Sequence, residues 1–157
     1  MTLKVGDRAP DFTLSAASGA QVTLSGLLGK RAVVVFFYPM DHTAGCTAEA
    51  CSFRDSYDEF VEAGAEVVGI SSDSIASHDS FAQKHRLPMT LLSDPDGRVR
   101  ALYEVKKTLG LFPGRATFVI DKGGVIRHAF VSQLRFGAHV VEALGMVKEL
   151  HGNAVDG

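Results

Sequence analysis

The sequence has no long apolar run, no block of like charge, no internal repeat and only two cysteines, and each shortage closes off a class of protein. The longest apolar stretch, Ala32 to Tyr38, is far short of the ~20 residues that a membrane-spanning helix needs. The 16 basic and 18 acidic side chains leave a net charge of −2 with no polybasic segment, so nucleic acid is not an implied partner. The opening Met1-Thr2-Leu3-Lys4-Val5-Gly6-Asp7 lacks the basic-then-apolar pattern of an export signal, and the expectation is a soluble, cytoplasmic protein with no membrane partner. At 157 residues and 46% apolar, without linker or low-complexity segment, the chain is expected to form a single domain over 1–157.

Such a core needs no disulfide for its stability. The two cysteines, Cys46 and Cys51, are separated by only four residues, so a bridge between them would remove little chain entropy. Redox chemistry, metal binding and coincidence remain as readings of the pair.

What is present is an alternation of strand and helix patterns. Phe12 to Leu14 and Gln21 to Leu24 flank the turn-prone Ala17-Ser18-Gly19 and predict a short antiparallel pair. Ala32 to Phe37 and Glu66 to Ser71 read as buried strands, with helices expected over Ala44 to Ala63 and Ile75 to His85. A short strand at Thr90 to Leu92, a turn at Asp94-Pro95-Asp96-Gly97 and a short helix from Arg98 to Tyr103 come next. Lys106 to Gly114 has no period and reads as a loop. Strands at Ala116 to Ile120 and Val125 to Phe130 are joined at Asp121-Lys122-Gly123-Gly124, where glycines suit a tight hairpin. A last helix is expected over Ala138 to Leu150, with a frayed tail from Gly152 to Gly157. Together these elements describe an α/β sandwich with a mixed sheet.

Around a helix axis at 100° per residue, Phe53, Tyr57 and Phe60 lie within about 40° of Cys46, which therefore shares their core-facing stripe. Cys51 falls about 140° away, beside Asp55, Asp58 and Glu62, on the polar side. Their Cα atoms would stand roughly 8.7 Å apart in an intact helix, beyond the ~7 Å limit for a disulfide. Cys46 also occupies the helix's first turn, where unpaired N–H groups and the positive dipole end favour a thiolate. It is a candidate nucleophile. Upstream, Pro39 ends the buried strand, Thr43 offers a hydroxyl, and Ala44 and Gly45 leave the approach uncrowded.

Pro-x-x-x-Thr-x-x-Cys after a buried strand, present as Pro39, Thr43 and Cys46, resembles the active-site pattern of the peroxiredoxins. The Cys-x4-Cys spacing followed by Ser52-Phe53-Arg54-Asp55 resembles the peroxiredoxin Q or bacterioferritin comigratory protein branch, although Ala44 stands where that branch commonly has proline. Val5 to Phe12, Leu92 to Gly97 and Pro113 to Asp121 resemble the family's opening, its mid-chain turn and the strand that brings its active-site arginine. The resemblance implies a thioredoxin-like sandwich with a mixed central sheet, flanking helices and an N-terminal β-hairpin extension. It implies reduction of hydrogen peroxide and organic hydroperoxides without metal or organic cofactor. Carried over by position, Cys46 is the peroxidatic cysteine and Cys51 the resolving one, with Thr43, Pro39 and Arg115 around the sulfur. An intramolecular disulfide would then be recycled by thioredoxin or a similar dithiol, in a protein expected to be monomeric.

Each role has a physical basis. Arg115 would supply a fixed charge favouring the thiolate and donors for the peroxide. Thr43 can accept from the peroxide or donate to the sulfur, and Pro39 removes a donor and limits water near it. Glu49 is either a first-turn acid favourable to the dipole or a member of the network reaching Arg115. His42 reads as a solvated loop residue, and His78, His85, His128, His139 and His151 show no ligand spacing and read as surface residues. Two other functions are weighed on the same residues. A general dithiol-disulfide oxidoreductase wants Cys-x-x-Cys at a helix start, and a metal carrier using Cys46, Cys51 and a histidine wants converging sulfurs, which the helical wheel separates.

Overall fold

The computed structural model describes residues 3–105, 114–131 and 136–156. The uninterrupted apolar run becomes β3 (Ala32–Phe37), and all of its residues are buried. It pairs in parallel with β4 (Ala65–Ser71) and antiparallel with β6 (Ala116–Ile120). β1 (Thr13–Ala16), β2 (Gln21–Thr23) and β5 (Thr90–Ser93) extend the sheet on the β4 side, and β7 (Ile126–Val131) closes the other edge. The order is β2-β1-β5-β4-β3-β6-β7, a mixed sheet of seven strands.

Because alternate residues of a strand face opposite ways, β3 feeds two cores. Ala32, Val34 and Phe36 face α2 (Ala44–Asp55), α3 (Tyr57–Glu62), α4 (Ile75–His85) and α6 (Phe136–Asp156), which contribute Phe53, Phe60, Phe81 and Val147. Val33, Val35 and Phe37 face α1 (Leu24–Leu27), α5 (Arg98–Leu102) and the N-terminal hairpin, through Leu24, Val99 and Leu14. Both faces being covered, the strand carries no polar alternation.

Three expectations change. The helix expected over Ala44 to Ala63 breaks at Ser56, whose φ of −104° and ψ of 5° separate α2 from α3. The Tyr57 hydroxyl donates to Glu66 of β4, so the second segment is aimed by a tertiary contact, while Phe53 and Phe60 stay in phase on the core and hide the break from periodicity. Leu24, expected at a strand end, instead starts α1, and the Asp11 carboxylate accepts from the Ser25 N–H there. The tail expected to fray from Gly152 is helical to Asp156, so the glycine does not act as a stop. Of the loop expected over 106–114, all but Gly114 lies outside the described residues.

The close packing of β3 and β4 depends on one missing side chain. A Cβ placed on Gly69 would lie 2.6 Å from Cζ of Phe36 and 3.0 Å from Cδ2 of Leu91. Gly69→Ala is therefore expected to destabilise the protein by about 1–3 kcal/mol through overpacking. A urea midpoint equal to that of the parent would show that the Phe36 ring can move aside at no cost.

Candidate functional site

The site forms where β3 runs out. The segment from Tyr38 to Thr43 leaves the sheet and is tied down by a buried polar cluster. The Tyr38 hydroxyl donates to Asp41 at 2.6 Å, Ser77 donates to the same carboxylate at 2.8 Å, and His78 Nδ1 lies 2.7 Å from it. The Asp41 N–H donates to Asp73, and His78 Nε2 lies 3.0 Å from the Leu92 carbonyl oxygen. Burial pushes the Asp41 carboxyl up, but the contacts of His78, Tyr38 and Ser77 outweigh it and hold it below the usual carboxylate range. The same burial, with Asp41 alongside, raises Tyr38 well above its ordinary value.

The anchored loop then delivers α2. His42 takes a left-handed conformation (φ 64°), which histidine tolerates better than bulkier residues, with its exposed ring edge-on to Phe81. Thr43 is the N-cap in extended conformation, and its hydroxyl donates to the Met40 carbonyl at 2.8 Å. Two residues into the helix lies Cys46, only 2% exposed.

The opposing charge comes from a distant strand. β6 pairs with β3 so that Ala116 stands opposite Phe37, and the preceding residue, Arg115, is set down beside the end of β3. Its Nη2 donates to Cys46 Sγ at 3.3 Å and its Nη1 to Glu49 Oε1 at 2.8 Å. Glu49 is one helical turn after Cys46 and fully buried. Its Oε2 lies 3.6 Å from His139 Nδ1, itself 2.8 Å from Thr117 Oγ1. Burial pushes Glu49 up and the charge and hydrogen bond of Arg115 pull it back, leaving it at about 7. A sulfur held at a helix N-terminus against a guanidinium is arranged for nucleophilic attack as a thiolate.

The structure brings Cys46, Glu49 and Arg115 together, with Thr43 and the half-buried Pro39 on the loop leading to the sulfur. Cys51 is half-buried on the same unbroken helix, and both thiols are free. His42, as expected, is exposed. The reading of His78 and His139 as surface residues is corrected, since both are fully buried. Helical spacing held the signal: His78 precedes the buried Phe81 by three residues, and His139 precedes the buried Ala143 by four. Tyr38 and Asp41 gave no such sign, because apart from each other their partners, Asp73, Ser77 and His78, come from a distant part of the chain. Among the described residues, the one cluster of three possible metal ligands is Asp41, Asp73 and His78. Neither cysteine belongs to it, and its carboxylates already accept hydrogen bonds from the protein.

A model of the AhpC/TSA family matches residues 5–129. The chain is 49% identical to the chloroplastic peroxiredoxin Q of Oryza sativa subsp. japonica over 146 residues, which is 92% of this chain and 67% of that protein. It is 49% identical to the chloroplastic peroxiredoxin Q of Sedum lineare over 146 residues, covering 92% of this chain and 78% of that one. Among solved structures, peroxidoxin BcpB from Mycobacterium tuberculosis aligns with a TM-score of 0.88 at 40% identity, over 94% of this chain and 98% of that one. Xanthomonas campestris peroxiredoxin Q aligns with a TM-score of 0.83 at 32% identity, over 89% and 91%.

The raised Glu49 carboxyl has a consequence for stability. A carboxyl whose folded value of about 7 exceeds its ordinary 4.5 stabilises the fold fully below pH 4.5, and that contribution is lost as pH rises through 7. Gln cannot titrate, so the stability of Glu49→Gln relative to the parent is expected to improve between pH 5 and pH 8, by on the order of 1–3 kcal/mol. Urea midpoints at both pH values measure this, and an equal difference at the two would mean that Glu49 does not titrate in this range.

Proposed function

The chain belongs to the AhpC/TSA family and is a thiol-dependent peroxidase of the peroxiredoxin Q kind, and from that premise we propose that Cys46 is its peroxidatic cysteine and Cys51 its resolving one. The observation that carries the assignment is the guanidinium of Arg115 at 3.3 Å from a buried sulfur on the first turn of α2. The thiolate attacks the distal oxygen of the hydroperoxide, the O–O bond breaks, and the departing alkoxide takes a proton and leaves as alcohol. Cys46 is left as sulfenic acid. Arg115 donates to the reacting oxygens as charge moves from sulfur to the leaving group, while Glu49 holds the guanidinium in plane. Thr43 turns its hydroxyl from Met40 toward the incoming peroxide, and Pro39 presents no N–H to recruit water. The Cys51 thiolate then attacks the sulfenic sulfur, water leaves, and a disulfide forms. A dithiol reduces it by two exchange steps.

This reading takes the substrates to be hydrogen peroxide and organic hydroperoxides. It takes the reductant to be thioredoxin or a similar dithiol, and the enzyme to be a monomer in the cytoplasm, where thiols are kept reduced.

Disulfide formation requires motion. Cys46 and Cys51 share the continuous helix α2, which at ideal geometry separates their Cα atoms by about 8.7 Å. At least the first turn and a half must unwind, at about 0.5–1.5 kcal/mol for each hydrogen bond lost. The cost extends to the core, because Phe53 stacks on Phe36 at 4.4 Å and lies 5.8 Å from Phe60.

Cys46→Ser is expected to abolish peroxide turnover, and Cys51→Ser to consume about one equivalent and stall. Full turnover by Cys46→Ser with thioredoxin would end the assignment. In the parent protein, amide exchange between Thr43 and Arg54 is expected to rise on oxidation while Val33 to Phe37 stays protected. Equal protection in both redox states, with the disulfide confirmed by mass, would refute the unwinding.

A further inference from the structure

A second buried arginine, on a different element, reaches the two backbone segments that frame the same sulfur. Arg100 lies on α5 and is 8% exposed. Its Nη2 donates to the Tyr38 carbonyl at 2.8 Å and its Nη1 to the Gly114 carbonyl at 2.5 Å, with the guanidinium 5.7 Å from the centre of the Phe37 ring. Those carbonyls belong to the residues that precede Pro39 and Arg115. One planar cation therefore joins the two backbone segments that deliver the cysteine loop and the sulfur's hydrogen-bond donor.

Arg100 has no carboxylate within 4.0 Å among the described residues, whereas Arg115 has Glu49. The nearby Asp94 spends its oxygens on the backbone N–H groups of Val99 and Arg100, which fixes the start of α5 and so the place from which Arg100 reaches inward. Burial works against the Arg100 charge; Asp94 and Cys46 favour it, and Arg115 opposes it. A buried cation left without an ion-pair partner makes an anion at the sulfur more favourable.

Resting on the peroxidase reading, we propose that Arg100 is the second cation of the peroxide site, a positioning residue that holds Tyr38 and Gly114 in register and adds positive charge to the region of the Cys46 sulfur. The other charged or titratable groups packed around this region are Arg115, Glu49 on α2, His139 on α6, and Tyr38, Asp41, Asp73 and His78 behind the loop.

The test uses Cys51→Ser as background, so that one thiol titrates and one turnover is read. R100Q is expected to move the midpoint of the ultraviolet thiolate titration upward by about half a pH unit or more. The rate constant for sulfenic acid formation with hydrogen peroxide should fall about tenfold. R100K keeps the charge but cannot span both carbonyls, so its midpoint should stay near that of the parent while its rate falls roughly threefold or more. A folded R100Q with an unchanged midpoint would overturn the electrostatic role. Should R100Q not fold, R100K decides, and an R100K rate equal to the parent's would overturn the positioning role. The titration needs no peroxide, so it is distinguishable from a failure of the peroxidase reading, which would show as a parent protein that titrates normally and does not react.

Discussion

The structure turns on keeping an ionisable sulfur inside a protein. A thiolate taken out of water is unfavourable unless donors and positive charge replace the lost solvent. Here they come from the free N–H groups of the first turn of α2 and from Arg115, 3.3 Å away. That contact in turn requires β3 and β6 to pair in one register, with Ala116 opposite Phe37. A slip of one residue would send Arg115 to the other face of the sheet. The dense aliphatic packing of β3 on both faces is thus also what holds the register of the Arg115–Cys46 contact.

Buried charges then propagate. Arg115 needs Glu49, whose second oxygen lies 3.6 Å from His139, which meets Thr117 on the strand that follows Arg115. The chain of contacts links α2, α6 and β6. On the other side of the loop, Asp41 is held by Tyr38, Ser77 and His78, linking β3 to α4. The two clusters flank the start of the helix that carries Cys46 and Cys51. The loop's anchor at Asp41 precedes the cysteine in the chain, so the helix starts from a fixed point.

Legibility followed the range of the interaction. The buried strands were readable because an apolar run without alternation has few other solutions in an α/β fold. Cys46 on the core stripe and Cys51 off it were readable from helical periodicity, and Cys46 is buried where Cys51 is only half-buried. The break at Ser56 was not, because Phe53 and Phe60 keep phase across it and Tyr57 finds its partner, Glu66, on β4. His78 and His139 were misread because an imidazole on a buried stripe is tolerable only if something distant satisfies its nitrogens, and sequence spacing does not display that partner.

By itself the sequence determined what local physics controls: which segments are strand or helix, which face of α2 is buried, and that Cys46 sits at a helix N-terminus after a loop shaped by Pro39 and Thr43. The tertiary structure alone decided which polar groups neutralise one another. Arg115 meets Cys46 across 69 residues of sequence and Glu49 across 66, and Arg100 reaches the Tyr38 carbonyl across 62. Electrostatic partnership depends on distance in space and on the exclusion of water, and both are fixed only when the strands pair and the helices close over them.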